Sequence, residues 1–168
     1  MAELNDSGAR REFDTGAVRD IADGKGRCDL LPLAEVSAYL QNDDILRLIG
    51  SFIRKGDETA IYSTMDAFLN QHPNIGALAP YDPFTAILDL SIHYEDGARK
   101  YDERNWERGI PCHCFVDSGI RHYLKWRRGD KDEPHDRAFL WNMFGLLWTL
   151  HNRPDLNDLP FAEEKAGA

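Results

Sequence analysis

Apolar side chains recur at helical spacing along most of this chain, and that spacing restricts the fold more than any other feature. In the stretch NDDILRLIGSFIRKG, one helical stripe collects Ile45, Leu48, Ile49, Phe52 and Ile53. No run shows the alternating, β-branched pattern of a half-buried strand. The sequence therefore predicts an all-α fold, a helical bundle of about six helices.

Residues that favour a first helical turn mark where the predicted helices begin: Asp29, Asn42, Asp57, Asp82, Pro111 and Asp132. Gly56 stands where the second helix should end. Residues 1–28 are rich in glycine and charge and poor in bulky apolar side chains. They are predicted to form an irregular N-terminal arm on a single domain that spans residues 1–168.

The charge of the chain argues against a nucleic-acid polymer as partner. Its 29 acidic and 20 basic residues give a net charge of -9, the wrong sign for neutralising a phosphate backbone. A single nucleotide is still compatible, because carboxylates hold divalent cations and these cations hold phosphates.

The apolar stretches and the cysteines indicate a cytoplasmic protein without a membrane span. The stretch from Phe139 to Leu150 is interrupted by Asn142 and Gly145 and is too short to cross a bilayer. The three cysteines are an odd number, and no apolar signal sequence follows Met1, so a disulfide framework is not expected.

Glu95 is the first candidate site residue. At helical spacing it shares a face with Leu88, Ser91 and Ile92, which predicts a carboxylate that points inward. Burial of a carboxylate is costly unless a cation compensates it. The alternative is a structural ion pair with Arg99, one turn further along.

Polar residues also lie on the apolar faces of the next two predicted helices. Asp117 and Arg121 are spaced as a buried ion pair, or as a metal ligand with its neighbour. His135 and Asn142 are two turns apart and can face one cleft. Asp130, Asp132 and Glu133 form an acidic run before the sixth helix. N-capping is an alternative interpretation of this run, and we favour it for Asp130.

Two further motifs are incomplete. Cys112-His113-Cys114 lacks the second ligand pair that a zinc site normally has. The basic turn GKGR, from Gly24 to Arg27, suits phosphates, but it lacks the full phosphate-loop pattern and no strand precedes it.

Four blocks in fixed order carry a resemblance: TGAVRDIADGKGRCDLLP, HYEDGARKYDERNWERGIP, FVDSGIRHYLKW and GDKDEPHDRAFLWN. They resemble a phage and prophage family of dATP/dGTP diphosphohydrolases, and the match covers most of the chain. Residues from about 37 to 80 form a helical insertion that shorter relatives lack. The family is similar to a distant branch of the MazG-like all-α nucleotide pyrophosphohydrolases.

The resemblance implies metal-dependent hydrolysis of a (deoxy)purine nucleoside triphosphate to the monophosphate and pyrophosphate. It also implies Mg²⁺ or Mn²⁺ as cofactor, a homodimer or homotetramer, and a bacterial cytoplasm, with a phage or prophage as a source of the chain. The MazG-like pattern has Glu-x-x-Glu on one helix and Glu-x-x-Asp on another, and this chain has neither in a clean form.

Site roles follow from matching the blocks. Metal binding is expected at Glu95, Asp117 and Asp132, and catalysis at Glu95, Asp117 and His135. Contacts with the nucleotide are expected from Arg19, Lys25, Arg27, Lys100, Arg104, Asn105, Trp106, Arg121, His122 and Asn142.

Two rival functions remain open. His135-Asp136 is also the dipeptide of an HD phosphohydrolase, which would release intact triphosphate and would need His113 or His122 together with Asp155. The other rival is a non-catalytic protein that sequesters a nucleotide, for instance a phage factor that removes a nucleotide signal.

Overall fold

A computed structural model describes residues 9–22, 24–71 and 82–162 of the chain. Its α-helices are α1 (Leu33–Tyr39), α2 (Asp44–Lys55), α3 (Thr59–Gln71), α4 (Pro83–Tyr101), α5 (Cys112–Arg128) and α6 (His135–Asn152). Short 3-10 turns occur at Cys28–Leu30, Asn105–Arg108 and Pro154–Leu156. The predicted all-α bundle of about six helices is confirmed. No helix of the described ranges is long and apolar enough to cross a membrane.

The N-terminal arm contains one short regular element within its irregular path. Strands β1 (Arg10–Glu12) and β2 (Val18–Asp20) pair antiparallel, with Arg11 opposite Arg19. Strands of three residues are too short to display an alternating pattern, so the sequence does not reveal them.

The predicted start residues Asp82 and Pro111 are the N-caps of α4 and α5, and the N-cap of α2 is Asp43, one residue after the predicted Asn42. The Asp43 side chain accepts a hydrogen bond from the backbone N–H of Leu46 and begins α2. Gly56 ends α2 in the left-handed conformation, with φ of 67°. The start at Asp29 is corrected, since the Asp29 carboxylate pairs with Arg27 and α1 begins only at Leu33.

Helices α5 and α6 form the centre of the bundle and pack closely along their length. Phe115 and Ile120 of α5 and Phe139 and Met143 of α6 are completely buried. At Gly145 an added Cβ would lie 2.4 Å from the Phe115 ring, so only glycine permits this approach of the two helices.

The predicted insertion adds to the core on the side of α2 and α3. Phe68 of α3 packs against Trp126 and Phe139, with ring centroids 4.8 and 4.6 Å apart. Residues 72–80, the end of the insertion, lie outside the described residues.

The orientation predicted for α4 needs correction. Its buried residues are Ala86, Leu90 and His93, whereas Leu88 and Ile92 are exposed. Helix α4 has two apolar stripes, and periodicity alone does not show which stripe faces the bundle.

Candidate active site

A cavity of about 890 Å³ lies between the arm, α4, α5 and the start of α6. This volume falls in the range of pockets that enclose small molecules. The wall of the cavity includes Glu95, Asp117 and Asp132, so the predicted acidic candidates face one shared space. No described residue of the insertion lines it.

The lining of the cavity is much less acidic than the chain. Among the described residues that line it, eight are Lys or Arg and seven are Asp or Glu. In the whole chain acidic residues outnumber basic ones by 29 to 20. A cationic surplus inside an acidic protein favours an anionic ligand.

Arg19 contributes a partly buried guanidinium to this wall. Its guanidinium donates to the backbone oxygen of Cys114 and to Oδ1 of Asn142, both at 3.1 Å. It also lies 5.4 Å from the centroid of the Phe115 ring and 5.3 Å from that of Trp141. Within the described residues it forms no salt bridge, and burial lowers the pKa of its guanidinium. Its remaining N–H groups are available to an anion.

Lys100 lines the cavity but already has an anionic partner. Its Nζ lies 2.8 Å from Asp20 Oδ2, and the hydroxyl of Tyr101 donates to the other Asp20 oxygen at 2.8 Å. Burial, and then the bond to Asp20, raise the pKa of Tyr101. Asp20 therefore joins β2 to α4, a role that the sequence analysis does not identify.

Asp117 and Arg121 form a buried ion pair, which was one of the two interpretations of their spacing. Asp117 Oδ1 also accepts the backbone N–H of Cys28 at 2.6 Å. Arg121 donates to the backbone oxygens of Lys25 and Gly26. Together these two side chains tie the arm to α5, and both oxygens of Asp117 are occupied.

Glu95 does not point inward. Its side chain is 59% exposed and pairs with Arg99, which was the alternative interpretation, although Glu95 also borders the cavity. The cause is the orientation of α4, which turns His93 instead of Glu95 towards the bundle.

The RNW block holds the cavity wall together. The side-chain amide of Asn105 both donates to and accepts from the backbone of Val18, at 2.8 Å each. This occupies the groups that were expected to contact base or sugar. Trp106 packs edge-on against Trp148, with centroids 4.9 Å apart, and Arg104 pairs with Glu107.

The two basic residues of the GKGR turn also line the cavity. Lys25 is exposed. Arg27 donates to both carboxylate oxygens of Asp29, at 2.7 and 2.5 Å, which leaves its charge largely compensated.

Two histidines meet at one end of the cavity. Nδ1 of His122 in α5 lies 3.0 Å from Nδ1 of His135, the first residue of α6. Glu133 Oε1 is 3.7 Å from the first of these nitrogens and 3.6 Å from the second. Asp132 Oδ1 is 2.8 Å from His135 Nε2. Burial, and then the charge of His135, hold the pKa of His122 well below its usual range, so its ring is neutral.

His93 is a cavity residue that sequence analysis misses. It is almost fully buried, and its Nδ1 has no hydrogen-bond partner in the described chain. Burial, and next the nearby charge of Arg137, lower the pKa of His93 to about 4. A correct orientation of α4 would have identified it.

The predicted ligand sets are assembled only in part. In the described ranges, no metal-sized group of three ligands includes Glu95, Asp117, Asp136 or Asp155. The three carboxylates expected to bind metal therefore share a cavity without sharing one ion position. His113 bonds to Asp158, and the Cys-His-Cys motif forms no such group either.

A comparison with family models gives one match that covers more than half of the chain. The model is described as dATP/dGTP diphosphohydrolase, N-terminal, and it matches residues 66–159. These residues include α4, α5 and α6, which carry most of the cavity wall. No curated protein and no solved structure matches the chain.

Proposed function

The chain belongs to the dATP/dGTP diphosphohydrolase N-terminal family, and from this premise we propose that it hydrolyses a (deoxy)purine nucleoside triphosphate. The products are the nucleoside monophosphate and pyrophosphate. Water adds to the phosphorus on one side of the oxygen that bridges the α phosphate and the β phosphate, and the bond from that phosphorus to the bridging oxygen breaks. The leaving group departs with the electron pair of that bond, and the water releases a proton to the solution.

The observation that carries this proposal is the uncompensated guanidinium of Arg19 in the cavity wall. A cation removed from water without an anionic partner is costly to the folded chain. A triphosphate removes that cost because its oxygens accept charge-assisted hydrogen bonds from the free N–H groups. Asn142 holds the guanidinium in place through the 3.1 Å bond to its Oδ1.

The apolar part of the wall suits a purine ring. Tyr94, Trp106 and Trp141 all line the cavity, and flat aromatic surfaces favour stacking with a base. The unpartnered Nδ1 of His93 offers one polar group there. These side chains orient the base while Arg19 contacts the phosphates.

The predicted carboxylate set does not fit a resident magnesium ion. Asp117 is paired with Arg121 and Glu95 with Arg99, so neither offers a carboxylate free of a cation. In this proposal Mg²⁺ or Mn²⁺ enters with the nucleotide as its phosphate complex, and this complex is the substrate.

A nucleotide-binding protein without turnover is the second candidate function. It is favoured because Asp117 and Glu95 are both paired with arginines, so neither carboxylate is free to hold a catalytic metal ion. Tight binding of unchanged nucleotide would support it.

Product analysis tests the proposal. Purified protein is incubated with dATP, dGTP, ATP and GTP in the presence of Mg²⁺ or Mn²⁺, and the products are separated. We expect monophosphate and pyrophosphate. Nucleoside with intact triphosphate would instead support an HD phosphohydrolase. Unchanged bound nucleotide would support a nucleotide-binding protein without turnover.

The substitution Arg19→Met tests, in the same assay, whether the Arg19 guanidinium contacts the phosphates. Loss of one charged hydrogen-bond donor should lower kcat/KM about 10- to 100-fold. Arg47→Met is the matched control, because Arg47 lies on α2 and pairs with Asp44 at the surface. Equal activity of both variants and the unmodified chain would remove Arg19 from the site.

A further inference from the structure

We infer that His122, Glu133 and His135 form a site for one divalent transition-metal ion at the end of the cavity. None of the acidic residues expected to bind magnesium belongs to this group. His122 and Glu133 line the cavity, and His135 lies directly behind them.

The spacing of the three ligand atoms suits one ion. They are His122 Nδ1, His135 Nδ1 and Glu133 Oε1, separated by 3.0, 3.6 and 3.7 Å. Around an ion with bonds of about 2.1 Å, neighbouring ligand atoms are about 3.0 Å apart in octahedral geometry and about 3.4 Å apart in tetrahedral geometry. The three distances therefore fit one face of a tetrahedral shell, and two of them are too long for one face of an octahedral shell.

The site is built into the fold. The exposed fractions of the three side chains are 16% for His122, 17% for Glu133 and 1% for His135. The ligands come from α5, from the loop between α5 and α6, and from the first residue of α6. The Glu133 backbone oxygen accepts the N–H of His135 at 2.9 Å, which fixes these two residues relative to each other.

Asp132 supplies the outer contact that metal-binding histidines usually have. Its Oδ1 lies 2.8 Å from His135 Nε2. A carboxylate in this position accepts the Nε2–H and leaves the lone pair of Nδ1 for the ion. Lys125 bonds to the other oxygen of Asp132 at 3.0 Å and supports the carboxylate from the solvent side.

A direct hydrogen bond between the two imidazoles is the competing explanation. It satisfies the two Nδ1 atoms but, among the residues that the structure describes, gives Glu133 Oε1 no hydrogen-bond donor. In the same part of the chain, the cation nearest to that oxygen besides the imidazoles is Lys125 Nζ, at 3.9 Å. One dication contacts all three atoms at once and accounts for the position of the carboxylate.

The ligand types select the class of ion. Two imidazoles and one carboxylate favour Mn²⁺, Fe²⁺, Co²⁺ or Zn²⁺, whereas Mg²⁺ prefers oxygen ligands alone. Three protein ligands also leave coordination positions open towards the cavity. If the proposed hydrolase function holds, an ion here supplies positive charge to the phosphates of the bound nucleotide.

Cobalt binding tests the site without any nucleotide. The full-length protein is treated with a chelator and titrated with Co²⁺, and binding is followed by visible absorption and by calorimetry. We expect one ion per chain with the spectrum of mixed nitrogen and oxygen ligands. The nearly isosteric Glu133→Gln should weaken binding at least about tenfold, and Asp132→Asn should weaken it about 10- to 100-fold.

The control variant is His151→Ala, since His151 bonds to Glu58 outside the cavity and should leave the titration unchanged. Circular dichroism shows whether each variant is folded. Absence of a stoichiometric Co²⁺ spectrum, or equal binding by folded Glu133→Gln, would overturn the site. Because no nucleotide is present, that outcome is distinct from a failure of hydrolysis.

Discussion

His93 shows how one buried side chain links the cavity to the pH dependence of the fold. Burial lowers its pKa to about 4, from about 6.5 in an unfolded chain. Between these two values the unfolded chain binds a proton that the folded chain does not. His93 therefore makes folding less favourable as the pH falls from 6.5 to 4, and it has no such effect above 6.5.

Replacement of this ring should flatten the acid side of the stability profile. In the unmodified chain the loss from His93 amounts to about 3 kcal/mol at pH 4. The variant His93→Phe lacks this contribution, so urea unfolding at pH 7 and pH 4.5 should show a smaller drop than in the unmodified chain. His151→Ala is the control, because His151 is exposed. Identical drops for the unmodified chain and His93→Phe would contradict the argument.

At this scale the sequence identifies residue types better than it identifies their orientation. Arg19 and Asn142 are candidates from the sequence, and both lie in the cavity wall. Glu95 is misplaced because periodicity defines the faces of α4 without showing what each face contacts. From the sequence, Glu133 is interpreted as part of a helix cap. The sequence does not show that His122 lies beside it in the folded chain.

Asp43 connects two helices that are far apart in sequence. Besides capping α2, its carboxylate accepts the hydroxyl of Tyr123 at 2.5 Å and a guanidinium N–H of Arg127 at 2.7 Å. Both partners belong to α5. The insertion is thus joined to the centre of the bundle by a buried polar contact as well as by apolar packing.

Asp43→Ala should destabilise the fold by about 2 to 4 kcal/mol. The cap contributes about 1 kcal/mol, and loss of the acceptor leaves a buried hydroxyl and a guanidinium with weaker partners. Chemical denaturation measures the difference. The neighbouring Asp44→Ala is the control and should cost less than about 1 kcal/mol, because Asp44 pairs with Arg47 at the surface. Equal losses for both variants would disprove a structural role for Asp43.

Helix ends are the elements that the sequence predicts best. Aspartates at caps and a glycine in the left-handed region act on their own neighbours, so their effect is visible locally. The ribbon of β1 and β2 is different. Its position depends on Asn105, 87 residues away from Val18, and such a contact leaves no local pattern.

The exposed face of α4 leads to an expectation for the whole molecule. Phe84, Ile87, Leu88 and Ile92 fall on one stripe, and the exposed fractions of Phe84 and Leu88 are 80% and 68%. An apolar stripe of this kind marks a protein interface more often than a free surface. We propose that two or four copies of the chain associate through α4.

Light scattering on the protein as it elutes from a size-exclusion column measures the mass of the assembly directly. The unmodified chain should give twice or four times the mass of one chain, and Leu88→Glu should shift the distribution towards the single chain. Tyr62→Glu, at an exposed apolar position of α3, is the control for added charge. A single-chain mass for the unmodified protein at every concentration would reject the assembly.

The separation of the insertion from the cavity has a practical consequence for variants of this protein. Residues 37–71 contribute packing but no described side chain to the cavity. If the proposed function holds, we expect changes there to alter turnover by changing how many molecules are folded. Screens for activity at low and at elevated temperature should therefore sort substitutions by region: those in the insertion recover on cooling, and those in the pocket do not.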